Sequence, residues 1–344
     1  MLEREAPEQI IGEADCFLVV LERVSRAAPL SKPVLVIGER GTGKELIAAR
    51  LHYLSERWQR AFVKFNCAAV NEELLESELF GHVAGAYTGA TRPRVGRFEL
   101  ANNGTLFLDE LASMSQRLQE KLLRVIEYGE FEKVGSSETI KVDVRLVGAA
   151  NADLPSLARE GRFREDLLDR LSFDVVTLPP LRERHGDVLL LAQKFAEGMA
   201  RELGREYFAG FAPAAEKQML SYAWPGNVRE LRNVVERAVY RLESARQTVE
   251  TVELDPFASP FRPAVLQVQK GTAPESAVQT PSQRARPSDF KTSVRQHEIA
   301  LLESALEQAR FNQKRAAALL KLNYHQFRNA LRKHGLLRRE VDRS

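Results

Sequence analysis

The chain has 344 residues, of which 44% are hydrophobic and 28% charged, with a formal net charge of +3. That length allows two or three domains; no apolar run approaches the roughly 18 residues of a membrane span, and the charged start MLEREAPEQI lacks the apolar core of a signal peptide. Cys16 and Cys67 have no metal-ligand spacing and the six histidines are scattered, so a disulfide scaffold and a dedicated metal centre are excluded and a reducing, cytoplasmic location is expected.

In chain order, Val34 to Ile37 is a short β-branched apolar run and reads as a buried strand. The turn GERGTG follows at once, then Lys44, and Glu45 to Leu51 reads as a helix. Strand, glycine-rich turn and helix are the context of a phosphate-binding loop. Gly38, Glu39, Arg40, Gly41, Thr42 and Gly43 would turn backbone N–H groups onto phosphate oxygens, and the helix N-terminus adds a favourable dipole. Lys44 would reach the β and γ phosphates of ATP. Glu45 stands where Ser or Thr usually follows that lysine; its carboxylate can reach Mg²⁺ through water or leave the metal to Asp109. Trp58, in the polar stretch Ser55 to Arg60, either meets a partner or covers a helix end. Phe62 to Phe65 is a second strand, and Asn66 at its end either holds Glu110 by a hydrogen bond or simply starts a turn.

A six-residue insert, Gly85-Ala86-Tyr87-Thr88-Gly89-Ala90, separates the two halves of the nucleotide signature. A nucleotide site has no need of a glycine-bounded, aromatic-tipped loop, which suits a moving part that touches another molecule. Thr105 to Leu108 is a buried strand ending in Asp109-Glu110. Asp109 is placed to hold Mg²⁺ and Glu110 to polarise the attacking water. Leu146 to Ala150 is a further strand, with Asn151 at its tip to sense the γ-phosphate. Arg164 and Arg170, in FREDLLDRL, are expected on one helix, either as arginine fingers supplied to a neighbour's ATP or as a solvated face. LPPLRER marks the step into a helical lid. Arg229, in WPGNVREL, either closes that lid over the nucleotide or pairs with Glu230 or Glu236.

From Pro256 to Ser288 the chain is rich in Pro, Ser, Ala and Gln and reads as an extended linker. From Arg310 onward ten Lys or Arg face two acids, Glu340 and Asp342, a balance suited to phosphate contact. Ile299, Leu302 and Leu306 give a helical rhythm. Asn312 reads as the N-cap of a helix over 313–320, and a short link leads to a last helix over 324–334 stopped by Gly335. Leu320, Leu322, Phe327 and Leu331 are expected to fill the small core. This is helix-turn-helix grammar. Asn323, Tyr324, His325, Gln326, Arg328 and Asn329 are candidate base readers; Lys314, Arg315, Arg332 and Lys333 are candidate phosphate contacts.

GERGTGKE, ELFGHVAGAYTGA, GTLFLDE, FREDLLDRL, LPPLRER and WPGNVREL stand together in that order. Residues 8–245 thereby resemble the AAA+ domain of the bacterial enhancer-binding proteins that activate sigma-54 RNA polymerase, and the basic tail resembles the Fis-type domain of the same family. The resemblance implies an α/β AAA+ P-loop core over 1–180, a helical lid over 181–255, a flexible linker over 256–290 and an all-α helix-turn-helix domain over 291–344. It further implies a homo-hexameric ring with ATP and Mg²⁺ between subunits. The loop Gly85 to Ala90 would engage the sigma-54 holoenzyme as ATP is hydrolysed, and the tail would bind double-stranded enhancer DNA. RLHYLSERWQR extends the likeness to the phage-shock branch, which implies control in trans by an inhibitor, PspA, with Trp58 as candidate contact. Three departures stand out: Tyr87 for the usual Phe, Ala150 where Thr is frequent, and Lys321 where Gly is frequent. A positive φ at Lys321 would cost roughly 1–2 kcal/mol. The loop and tail argue against two rivals, a DNA-binding factor serving another polymerase form and a chaperone or clamp-loader ATPase.

Overall fold

The computed structural model describes residues 10–87, 89–258, 290–309, 312–334 and 336. Thr88, Arg310, Gly335 and nearly all of the expected linker lie outside the described residues. The chain divides into two compact units, Met1–Arg262 and Pro263–Ser344.

The first unit runs α1 (Asp15–Ala27), β1 (Val34–Ile37), α2 (Lys44–Tyr53), β2 (Phe62–Asn66), α3 (Glu72–Phe80), α4 (Arg97–Leu100), β3 (Thr105–Asp109), α5 (Gln116–Tyr128), the hairpin strands β4 (Glu130–Glu132) and β5 (Thr139–Lys141), β6 (Arg145–Ala150), α6 (Leu154–Arg159), α7 (Glu165–Leu171), β7 (Asp174–Thr177), α8 (His185–Glu202), α9 (Pro213–Ser221) and α10 (Asn227–Tyr240). Five strands form one parallel sheet in the order β2-β3-β6-β1-β7. Their near-continuous apolar runs follow from burial on both faces. Side chains alternate along each strand: Val34, Val36, Phe107 and Val147 pack with α1 and α2, while Leu35, Leu106, Leu108 and Leu146 pack with α3, α5 and α7.

Register sets the functional end of the sheet. Asn66 pairs with Asp109 and Ile37 with Ala150, so the turn after β1, the Asp-Glu pair after β3 and Asn151 after β6 all leave from the carboxyl ends of neighbouring strands, where open α/β sheets bind ligands. At the opposite end Arg145 is 1% exposed. It donates to the carbonyls of Ala28 (2.6 Å), Leu51 (3.2 Å) and Ala27 (2.9 Å), all at the C-terminal ends of α1 and α2. Those ends carry partial negative charge, so the helices supply the counter-charge that burial would otherwise deny the cation. Burial still lowers its pKa to about 10. Buried His52 sits beside it, pushed down to about 4 first by burial and then by Arg145, with Nδ1 3.0 Å from the Thr105 hydroxyl.

The lid, α8 to α10, has its own core around Leu191, Ala196, Met219, Trp224, Leu231 and Val235. Trp224 is 1% exposed and its indole N–H donates to the Met219 carbonyl at 2.9 Å. Among the described residues no helix is long and apolar enough to cross a membrane.

The second unit contains α11 (Phe290–Gln308), α12 (Gln313–Leu319) and α13 (Tyr324–Lys333) around Leu302, Ala316, Ala317, Phe327 and Leu331. Leu322, expected in that core, is 36% exposed; it lies in the turn between α12 and α13, and Leu336 packs against the cluster instead. Asn312 caps α12 by accepting from the Arg315 N–H. Lys321 has φ +54°, the left-handed conformation that a Cβ makes costly. Lys321→Gly is therefore expected to stabilise this unit by about 1 kcal/mol, partly offset by the greater freedom of glycine when unfolded. Hydrogen exchange on the full chain checks it: α12 and α13 amides should slow by about fivefold, and unchanged or faster exchange refutes the strain.

Candidate functional site

The turn Gly38 to Gly43 is held on three sides. The Gly38 N–H donates to the Ala150 carbonyl at 3.2 Å, joining it to β6. Gly41 has φ +81°, and a Cβ there would meet the Gly226 carbonyl oxygen at 2.3 Å, so only glycine lets the lid lie against the turn. Lys44 is 7% exposed. Its Nζ donates back to the carbonyls of Gly38 (3.0 Å) and Glu39 (3.2 Å). Burial lowers its pKa, and the charges of Asp109 and Glu110 oppose that shift, so the ammonium and both carboxylates share one electrostatic neighbourhood. The Thr42 hydroxyl donates to the Glu39 carbonyl at 2.8 Å.

Glu110 has φ +56°, a strained conformation for a residue with a side chain. Its N–H donates to Asp109 Oδ1 at 2.9 Å, and its Oε1 accepts from Asn151 Nδ2 at 3.2 Å. The contact expected from Asn66 is not made. Asn66 Oδ1 accepts from the Ala68 N–H at 2.8 Å, closing a turn at the strand end. The reason is positional: β3 lies between β2 and β6, and the left-handed turn at Glu110 carries the carboxylate to Asn151 at the tip of β6. The adjacent Cys67 thiol is pushed up to about 12 by burial and then by Asp109 and Glu110.

For Glu45 the structure favours the second of the two expected alternatives, in which the metal is left to Asp109. Glu45 Oε1 is 2.9 Å from Lys64 Nζ, which ties the first turn of α2 to β2, so the carboxylate is engaged away from the phosphate loop and Asp109 remains as the metal-holding candidate. The Glu39 side chain is a lid anchor. It takes a two-pronged contact from Arg182 at 2.9 and 2.7 Å, and these bonds, with one from Asn227, hold its carboxyl below the usual range.

Asn227 escaped sequence reading. It is 0% exposed with φ +52°. Its Oδ1 accepts from the Leu181 N–H at 2.8 Å, while Nδ2 donates to Glu39 Oε2 (3.1 Å) and the Arg40 carbonyl (3.0 Å). One amide therefore joins the start of the lid, the first turn of α10 and the phosphate loop. Arg229, two residues on, has its Cβ near Gly41, and its charge, like that of Arg40, disfavours protonated Lys44.

A mostly apolar cavity of about 80 Å³ adjoins Thr42 and Gly43, lined also by Ile11, Phe17, Leu46 and Phe195. Its position beside the phosphate loop suits a nucleobase. The N-terminal strap over it is fixed by Asp187, whose Oδ1 accepts from the N–H groups of Glu13 (2.6 Å) and Ala14 (3.0 Å). Asp187 Oδ2 also accepts from Arg184 Nε at 2.8 Å, and that guanidinium lies 3.7 Å from the centre of the Phe17 ring. Neither strap nor cavity was visible in the one-dimensional pattern, because the contributing residues come from four separated stretches.

Arg164 and Arg170 stand at opposite ends of one helix, α7. Arg164 is the N-cap of α7, donates to both oxygens of Asp166 at 3.0 and 2.7 Å, and its N–H donates to Gln119 Oε1 at 2.8 Å. Arg170 lies in the last turn, with Nε 2.9 Å from Glu127 Oε1.

The loop from Gly85 to Ala90 joins α3 to α4. Gly85 has φ +81° and Gly89 φ +102°, and a Cβ on either would meet nothing within 4 Å. The Gly85 N–H donates to the Ala90 carbonyl at 2.7 Å and the Ala90 N–H to the Tyr87 carbonyl at 3.0 Å. Ala86 packs onto Gly135 in the β4–β5 turn. Tyr87 is 43% exposed, its ring edge-on to His82 with centroids 5.2 Å apart. Trp58 is half-exposed on the turn after α2.

In the second unit, Asn323 and Gln326 form a reciprocal cap: Asn323 Oδ1 accepts from the Gln326 N–H at 2.8 Å and Gln326 Oε1 from the Asn323 N–H at 3.1 Å. As base readers they would have their amide NH₂ groups and the second lone pair of each carbonyl oxygen to offer. Lys333 Nζ is 3.0 Å from Glu298 Oε2, a pairing that competes with phosphate. Tyr324, His325, Arg328, Asn329 and Arg332 lie on α13, and Lys314 and Arg315 on α12.

Residues 10–177 match the sigma-54 interaction domain, 182–263 the AAA+ ATPase lid domain, and 293–334 the Fis family of bacterial regulatory proteins. The chain is 56% identical over 333 residues to the Psp operon transcriptional activator of Escherichia coli strain K12, covering 96% of this chain and 99% of that one. It is 45% identical over 320 residues to the hydrogenase transcriptional regulatory protein HoxA of Cupriavidus necator, covering 92% of this chain and 63% of the relative. The crystal structure of NtrX from Brucella abortus in complex with ADP aligns with a TM-score of 0.66 at 28% identity, over 95% of this chain and 69% of that one. The same protein in complex with ATP gives 0.65 at 29% identity, with the same coverage. The chain belongs to the sigma-54-dependent transcriptional activators, with an AAA+ ATPase core, a helical lid and a Fis-type DNA-binding domain on one polypeptide.

Proposed function

We propose that this chain, acting in the cytoplasm, binds enhancer DNA, assembles as a homo-hexamer and hydrolyses ATP to ADP and phosphate to remodel a sigma-54 RNA polymerase closed complex into an open one. Phage-shock promoters are the proposed targets, by likeness to the Psp operon transcriptional activator of Escherichia coli. The observation that carries the reading is the Gly85 to Ala90 loop: open around both glycines and tipped by a half-exposed Tyr87.

ATP would sit with its base beside Phe17 and Leu46 and its phosphates over Gly38 to Gly43. Lys44 exchanges the Gly38 and Glu39 carbonyls for phosphate oxygens, and Glu110 polarises the attacking water. Asn151 holds Glu110 until the γ-phosphate arrives and then turns to it. Mg²⁺, when bound with the substrate, would offset phosphate charge; Asp109 at the end of β3 is the oxygen donor that fits it. Arg229 reports lid closure, and Arg164 and Arg170 act on the ATP of the neighbouring subunit. Half-exposed Trp58 is the proposed contact for a trans-acting inhibitor of the PspA type.

The loop is tested by pairing hydrolysis with sigma-54 capture in the presence of ADP–metal fluoride. Tyr87→Ala and Thr88→Ala should hydrolyse ATP near the wild-type rate yet lose sigma-54 capture by roughly tenfold or more, about 1.4 kcal/mol. Tyr87→Phe should be mild, since only a hydroxyl is removed. Normal capture and promoter opening by Thr88→Ala would remove the main support for sigma-54 remodelling.

A further inference from the structure

The guanidinium groups of Arg164 and Arg170 are engaged in different ways. Arg164 uses Nε and Nη2 together on Asp166, two residues along its own chain. Arg170 uses Nε alone, on Glu127 at 2.9 Å, and its side chain is 61% exposed. Nε is the donor nearest the aliphatic stem. Anchoring it fixes the plane of the fork and leaves both Nη groups without an intrachain partner among the described residues, and these are the donors that match phosphate oxygens.

Glu127 stands on firm ground. It lies in the last turn of α5, which is locked into the core by Leu118, Leu122 and Val125, and α7 is locked into the same cluster by Leu167 and Leu171. An acid there opposes the helix dipole, so α5 itself gains nothing from it. What it does offer is a fixed acceptor for an arginine whose long stem would otherwise sample many rotamers.

We propose that Glu127 is a positioning residue for ATP hydrolysis: it orients Arg170 so that both Nη groups face outward to the γ-phosphate of ATP bound by a second copy of this chain. The inference rests on the reading of Arg170 as a donor in trans. Pre-orientation acts on the transition state, so its loss lowers turnover and leaves substrate affinity alone.

The test is steady-state and single-turnover hydrolysis by the full-length protein carrying Glu127→Ala, Glu127→Gln, Arg170→Ala, or Glu127→Ala with Arg170→Ala. Glu127→Ala should lower kcat about tenfold with KM for ATP unchanged, within the cost of misplacing a reacting group. Glu127→Gln keeps an oxygen acceptor for the Nε–H and should retain most of the rate. In the Arg170→Ala background Glu127→Ala should do nothing further. The proposal is overturned by a kcat at or above wild type in Glu127→Ala, by a change confined to KM, by equal losses in the Ala and Gln variants, or by a second tenfold loss on top of Arg170→Ala. Wild-type hydrolysis by Arg170→Ala itself would instead sink the trans reading on which the proposal stands.

Discussion

Arg170→Ala is expected to lower ATP turnover by about 10³–10⁵-fold, the range over which arginine fingers act on phosphoryl transfer. The side chain is exposed, with a single side-chain bond among the described residues, so its removal leaves no buried group unsatisfied and the fold should survive. Complementation separates a trans from a cis role. Mixed rings of Arg170→Ala and Lys44→Ala chains should regain hydrolysis, because an interface can form in which one chain supplies the phosphate loop and the other the arginine. No recovery, with mixing demonstrated, would assign Arg170 to its own subunit. Arg164→Ala must be tested separately: its fork onto Asp166 has to open before it can reach across an interface, and its N–H bond to Gln119 ties the start of α7 to α5.

The second large effect belongs to Glu110. Glu110→Gln should bind ATP as the wild type does and turn it over about 10²–10⁴-fold more slowly, the usual cost of losing a general base. The amide is isosteric, and its oxygen can still accept from Asn151 Nδ2, so the strained turn after β3 is preserved while the capacity to take a proton is lost. Lys44→Ala should fail one step earlier, at binding, because it removes an ammonium buried against the phosphate loop. Nucleotide titration beside steady-state hydrolysis distinguishes the two. Hydrolysis by Glu110→Gln near the wild-type rate would refute its assignment as the base.

Much of this architecture was legible residue by residue. β1 and β3 were readable from apolar runs that had to be buried on both faces, and the phosphate loop from glycines between a strand and a helix. The strain at Lys321 was expected only through the family resemblance, which puts glycine at that position, and the structure gives the lysine there φ +54°. The β4–β5 hairpin was missed: each strand has only three residues, too few for alternation to stand out. Leu322 was misplaced because a hydrophobic side chain in a tight turn can point either way, and only the crossing of the helices decides.

The site divides along the same line. Chemistry confined to one short segment was determined by the sequence alone: Lys44 after its glycines, Asp109-Glu110 at a strand end, the glycine-bounded Tyr87 loop, and the basic last helix. Such features rest on local backbone geometry and on the donors and acceptors of a few consecutive residues. Pairings between segments were decided by the tertiary structure. Strand order set Asn151 rather than Asn66 against Glu110, and β2 beside α2 drew Glu45 to Lys64. The packing of α5 on α7 gave Arg170 its partner Glu127, and the lid against the phosphate loop made Asn227 a three-way tie. A polar side chain has many possible partners and a reach of only a few ångströms, so which one it meets depends on which backbones the hydrophobic core brings together.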